Sequence, residues 1–157
     1  MSWSQIPHPW TLSLDRTTWS FGSVHVNILM LGIAHEGVAF PLFWTMLDKR
    51  GNSNSDERID LLEHFERVFL DVKVRCLVGD REFVGKDWCS YLLLPKTLPF
   101  RIRLRHSDKL SSRAGKTRQS GERVFASLRV GETRLLSGQR SRLGSTGLHR
   151  RHPPRGW

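Results

Sequence analysis

Apolar and polar positions alternate at the start of the chain. In "WTLSL" (Trp10–Leu14), Leu12 and Leu14 alternate with Thr11 and Ser13, the period of a half-buried strand. A turn at Phe21-Gly22 leads into "VHVNILMLGIAH" (Val24–His35), whose Val, Ile and Leu content suits a largely buried strand. Glu36-Gly37 reads as a hairpin turn into "VAFPLFWTML" (Val38–Leu47), and Pro41 inside that third strand puts it at a sheet edge or at a bulge. The pattern predicts a three-stranded antiparallel meander.

The period then changes. "DKRGNSNS" (Asp48–Ser55) is a loop by composition, and "DERIDLLEHFERVF" after it carries Ile59, Leu61, Leu62, Phe65, Val68 and Phe69 at helical spacing. Asn54 followed by Glu57 reads as an N-cap and its capping partner, with Asp56 and Glu57 in the first turn. "VRCLVGD" (Val74–Asp80) reads as a strand, and "GKDWCSYLLL" (Gly85–Leu94) as a short helix ended by Pro95. "PFRIRLR" (Pro99–Arg105) reads as a strand with Phe100, Ile102 and Leu104 inward and Arg101, Arg103 and Arg105 outward. The predicted order is β-β-β-α-β-α-β, an α/β mixed sheet in which crossovers add parallel strands to the meander.

Composition modifies this picture at the C-terminal end. The 157 residues carry a net charge of +10, unevenly spread. Residues 1–100 set 10 Lys and Arg against 12 Asp and Glu, whereas residues 101–157 set 15 against 3. A near-neutral body with a basic tail points to a polyanion such as DNA, or to a solvated run with no partner. Lys109, Arg113, Lys116 and Arg118 join Arg101, Arg103 and Arg105 as candidate phosphate contacts. Cys76 and Cys89 match no zinc or redox spacing and read as reduced thiols of an intracellular protein. There is no secretory signal pattern, and "VNILMLGIA" is far short of the about 20 apolar residues that cross a bilayer. The expectation is a cytoplasmic protein with no membrane partner.

Two carboxylates stand out, Asp15 after the first strand and Asp80 after the fourth. If those strands are neighbours, the pair is the protein half of a magnesium site, because hard oxygen donors suit an ion that keeps several waters. The competing reading is that each aspartate caps a turn. Spacing leaves both open. Trp19, Trp44 and Trp88 read as core residues and His25 as a satisfied histidine. His35-Glu36 lacks the second histidine of a zinc-protease helix, and Gly115-Lys116-Thr117 lacks the glycine of a phosphate loop.

The segments "PWTLSLDRTTWSFG", "VHVNILMLGIAHEGVAFPLFWTMLDKRGNSNSDERIDLL" and "GDREFVGKDW" resemble the catalytic core of DDE transposases of the bacterial insertion-sequence-4 family. The resemblance runs from about Pro9 to Arg105 and more weakly to about Arg140. It implies a ribonuclease H-like fold and a two-ion Mg²⁺ or Mn²⁺ site with Asp15 and Asp80 as two of three acidic ligands. By the same resemblance Thr17, Trp19, Arg81 and Glu82 support the site. DNA, as transposon ends and target, is the implied partner, together with a second copy or a full-length transposase.

The pattern then breaks. The family's third carboxylate lies in a Tyr-x2-Arg-x3-Glu-x6-Lys helix; here the single tyrosine, Tyr91, is followed three residues on by Leu94. Glu82, Glu122 and Glu132 lie outside any such motif. After Arg140, "SRLGSTGLHRRHPPRGW" has no acid, no lysine and no periodicity, the composition of a GC-rich gene translated out of frame. An authentic arginine-rich arm is the alternative. The expected organisation is an incomplete ribonuclease H-like core over residues 1–106, a partial extension or inserted β region over 107–140, and a disordered tail over 141–157. The expected function is that of a truncated cut-and-paste transposase that does not catalyse transposition alone, the alternative being a non-catalytic DNA-binding or inhibitory fragment.

Overall fold

Past Leu14 the chain stays extended. In the computed structural model the first strand, β1, runs Trp10–Phe21, seven residues beyond the alternating apolar run. The structure describes residues 5–94, 96–111 and 118–129. β1 pairs antiparallel with β2 (Val24–His35), from Thr11 opposite Ala34 to Phe21 opposite Val24. That pairing, rather than an apolar pattern, makes Asp15 to Ser20 a strand.

Two hairpin loops set the register. Between β1 and β2, Gly22 has φ +59° in a two-residue loop, the position where this twist demands glycine. Between β2 and β3 (Val38–Met46), Glu36 and Gly37 both take positive φ, the type I′ pattern. Pro41 sits where the β2–β3 register shifts, and β3 is an edge strand, so the proline meets both of its expected settings. Gly32 faces this bulge: an added Cβ would come within 2.5 Å of the Phe40 carbonyl oxygen.

Helix α1 (Ser55–Val68) begins on the predicted capping box. Asn54 Oδ1 accepts from Glu57 N–H at 2.9 Å, and Glu57 Oε2 accepts from Asn54 N–H at 2.7 Å. β4 (Val74–Gly79) follows and pairs parallel with β1. A single 3₁₀ turn (Arg81–Phe83), helix α2 (Lys86–Leu93) and β5 (Phe100–Ile102) complete a five-stranded mixed sheet of order β3-β2-β1-β4-β5, so the domain is α/β.

One face of the sheet carries the core. Leu12, Leu14, Leu29, Leu31 and Ile33 meet Leu62 and Phe65 of α1, Phe83, and Trp88 and Leu92 of α2 in one buried cluster. Each such side chain contributes about 1.5–3 kcal/mol by burial. Val68, assigned to the core by spacing, is exposed, and Arg58 is buried in α1 instead. Cys76 is buried and Cys89 half-buried, and neither is in a disulfide. Tyr91 packs α2 on α1: its hydroxyl donates to Glu63 Oε1 at 2.9 Å, and burial with that bond pushes its pKa up to about 12.

The expected strand Pro99–Arg105 shortens to three residues because β4, its partner among the described residues, ends at Gly79. Leu104 is exposed rather than inward. The chain divides into two compact units, Met1–Arg103 and Leu104–Trp157. In the second, β6 (Lys109–Ser111) and β7 (Arg118–Ser120) pair antiparallel and lead into helix α3 (Gly121–Phe125), capped by Ser120 Oγ. Buried Asp108 organises the preceding turn by accepting from Arg105 N–H at 2.8 Å. Arg113, Lys116, residues 130–140 of the expected extension and the expected tail 141–157 lie outside the described residues. Among the described residues no helix is long and apolar enough to cross a membrane.

Candidate functional site

The sheet order brings Asp15 and Asp80 together. Leu14 pairs with Gly79 as the last register pair of β1 and β4, so the two aspartates are the next residues along neighbouring parallel strands. Such strands lie about 4.8 Å apart. Ser13 and Val78 are register partners and share a face, and the backbone stays extended through Asp80 (φ −80°, ψ 173°). Two residues on from that pair, Asp15 and Asp80 therefore point to one face, opposite the helices. Both are exposed.

Asp15 does not end its strand, as the sequence suggests; it lies within β1, at the level where β4 stops. The main chain explains its orientation. Trp10 N–H points toward β4 and bonds Lys73 O at 2.8 Å, so by alternation Arg16 N–H points the same way, past the end of β4. There it donates to Asp15 Oδ1 at 2.8 Å. Asp80 begins the 3₁₀ turn but makes no side-chain capping bond, so turn capping does not consume its carboxylate. Among the described residues its cation partner is Arg103, with Nη1 at 3.9 Å from Asp80 Oδ1; at 84 % exposure this is a loose, solvated contact.

The opposite face holds a polar network whose arginines the sequence reading passed over. Arg16 donates from Nε to Glu82 Oε1 at 3.0 Å and from Nη2 to Glu82 Oε2 at 2.9 Å, a bidentate ion pair. It also reaches Asn27 Oδ1 and Asn52 Oδ1, both at 3.2 Å. Asn27, buried in the apolar run of β2, donates to the Lys49 and Gly51 carbonyls and so ties down the loop before α1. Arg58 donates to Ser53 Oγ and Ser53 O, reaches the Glu82 carbonyl at 3.4 Å, and lies over the Phe83 ring at 5.3 Å. Burial lowers its pKa, and the Glu82 charge opposes that shift. A signal for this network was present in the sequence: an asparagine inside "VHVNILML" and an arginine on the apolar stripe of α1 are both out of pattern.

Of the remaining predicted site residues, Thr17 and Trp19 share the Asp15 face of β1, Arg81 is exposed, and Glu82 is the Arg16 partner. Of the three tryptophans expected in the core, Trp19 and Trp44 are 54 % and 65 % exposed and Trp88 is buried. The physical reason is that α1 and α2 both pack on the other face. His25 is exposed and hydrogen-bonded to Ser20 Oγ at 2.7 Å. Arg101, Arg103, Arg105, Lys109 and Arg118 are all exposed. Within the second unit, Lys109 pairs with Ser120 and Ser111 with Arg118, which places Lys109 and Arg118 on one face of the small hairpin.

The donors of the open face suit magnesium or manganese: two carboxylates, solvent-accessible, with room for retained water. Among the described residues no three His, Cys, Asp or Glu side chains form a group that could hold a metal ion, so an ion on this face would have two carboxylates and water. Comparison of the chain with protein-family models, with curated proteins and with solved structures gives no match.

Proposed function

We propose that the chain is a DDE-type DNA transposase core of the insertion-sequence-4 kind, ribonuclease H-like in fold, which holds two of the three acidic ligands and does not transpose DNA by itself. The observation that carries the reading is the juxtaposition of Asp15, in central β1, with Asp80, just past the end of β4, in segments whose "DRTTWSFG" and "DREFVG" sequences resemble those around the family's metal aspartates. The strand order β3-β2-β1-β4-β5 agrees with the fold that this resemblance implies.

In this reading Asp15 and Asp80 hold the ion and the exposed arginines of the β5 region meet DNA phosphate. A Mg²⁺ or Mn²⁺ ion held by these two carboxylates would supply Lewis acidity at a phosphodiester and lower the pKa of a water or hydroxyl nucleophile. The protein's own share is to offer the two carboxylates on one face and, through Arg16 N–H, to orient the first of them. With two carboxylates in place of three, ion affinity and positioning both fall.

Two measurements test the proposal. Supercoiled plasmid incubated with the protein in Mg²⁺ or Mn²⁺ is expected to show no nicking above background; turnover that Asp15→Ala abolishes would overturn the inactive assignment. Sequencing the locus tests the family. Translation past codon 140 in the other frames is expected to supply Tyr-x2-Arg-x3-Glu-x6-Lys, the change of composition after Arg140 being the reason. If no frame does, the arginine-rich segment is authentic, and the reading as a DNA-binding or inhibitory fragment replaces the frameshift account.

A further inference from the structure

We infer that Arg16 and Glu82 act as a positioning pair, a clamp on the far side of the sheet that sets how Asp15 and Asp80 stand relative to each other. The inference rests on the reading of those aspartates as metal ligands.

The need for a clamp comes from the backbone. The β1–β4 ladder ends at the Leu14–Gly79 pair, so both aspartates lie just beyond the last main-chain tie between their strands. Arg16 follows Asp15 directly, and Glu82 follows Asp80 by two residues. Their side chains, 66 positions apart in sequence, meet in the bidentate pair and replace the missing ladder at that level.

Geometry makes the tie stiff. A planar guanidinium against a carboxylate fixes both distance and angle, which an ammonium does not. The pair is only 15 % and 21 % exposed, so water competes for it weakly. Each member is also held from behind: Arg16 by Asn27 and Asn52, and the Glu82 main chain by Arg58, itself fixed on Ser53 and Phe83. The network spans β1, β2, the loop before α1 and the turn after β4. Neither Arg16 nor Glu82 points to the face the carboxylates share, so the pair positions ligands and is not one.

The test is Mn²⁺ binding by the full chain, read by electron paramagnetic resonance and calorimetry, with thermal melts in metal-free buffer alongside. Asp15→Asn is expected to abolish binding. Glu82→Gln and Arg16→Lys each lose the bidentate geometry and are expected to weaken Mn²⁺ binding about 10–100-fold, the usual effect of removing a group that orients a ligand. Lys96→Gln, which breaks the Lys96–Glu66 pair between α1 and the end of α2, is expected to lower the melting temperature and leave Mn²⁺ affinity unchanged. That control separates lost stability from lost positioning. Should Glu82→Gln fail to fold, Arg16→Lys, which keeps its charge in place, carries the same reading. Clamp variants that melt lower yet bind Mn²⁺ within twofold of the parent would reduce the pair to a structural salt bridge. A parent chain that binds no Mn²⁺, or binds it equally well as Asp15→Asn, overturns the metal reading and the inference with it.

Discussion

Trp88→Ala is expected to unfold the chain or bring it close to unfolding, at a cost of about 3–5 kcal/mol. The indole is fully buried between the sheet and the helices and stacks on Tyr91 at 6.2 Å between centroids. A domain of ordinary stability has only about 5–15 kcal/mol in hand, so this loss takes a large share of it. Trp88→Phe is expected to behave very differently. The Trp88 Nε1 atom is buried and has no acceptor among the described residues. An unsatisfied buried N–H costs about 1–3 kcal/mol, so its removal offsets most of the smaller ring's lost contacts. Urea denaturation followed by far-ultraviolet dichroism measures both variants; fluorescence is unsuitable with six tryptophans. A Phe variant as unstable as the Ala variant would mean that volume alone decides at this site.

The position of Trp88 bears on the site as well as on stability. It follows the 3₁₀ turn that carries Glu82, and it shares the core with Phe83, whose ring lies under Arg58. Packing beneath the turn and polar ties above it thus act on one short segment. The same segment holds Asp80, so a loosened core should loosen the carboxylate pair.

What the sequence made legible was whatever a local pattern or a local cap determines. The bounds of β2 follow from a run rich in Val, Ile and Leu that stops at Glu36-Gly37. The start of α1 follows from Asn54 and Glu57, whose reciprocal hydrogen bonds need only three residues of separation. Pro41 announced an edge or a bulge because a missing N–H is tolerated only in such places, and it has both. The order of elements was legible for the same reasons.

What stayed hidden depended on partners distant in sequence. Asp15 to Ser20 have no strand pattern of their own and are extended because β2 pairs with them. β5 is short because β4 stops, a fact recorded some twenty residues earlier in the chain. Trp19 and Trp44 look like core by residue type, yet which face of a sheet is covered depends on where the helices pack. The Arg16–Glu82 pair was the hardest of all to see. Glu82 was legible only as part of a resembling motif, and nothing near it in sequence names Arg16 as its partner.

The chain is expected to bind DNA with an affinity that falls steeply with salt and takes no account of sequence. Arg101, Arg103, Arg105, Lys109 and Arg118 are exposed, and residues 101–157 carry 15 Lys and Arg against 3 acids. Each phosphate neutralised releases counterions, so a protein that makes 6–10 such contacts loses about 10³–10⁵ in affinity between 50 and 200 mM salt. Gel shifts on two unrelated duplexes of equal length, taken across that range, give the slope directly. Asp15→Asn should leave the low-salt shift in place, because the two carboxylates repel rather than attract phosphate without an ion. Arg101→Gln with Arg103→Gln should flatten the slope by about 2, since each phosphate contact contributes about 0.9 to it. Absence of any shift at 50 mM salt would remove DNA as a partner and leave the basic segment a solvated run. A shift that survives 200 mM salt on one duplex alone would point instead to base readout.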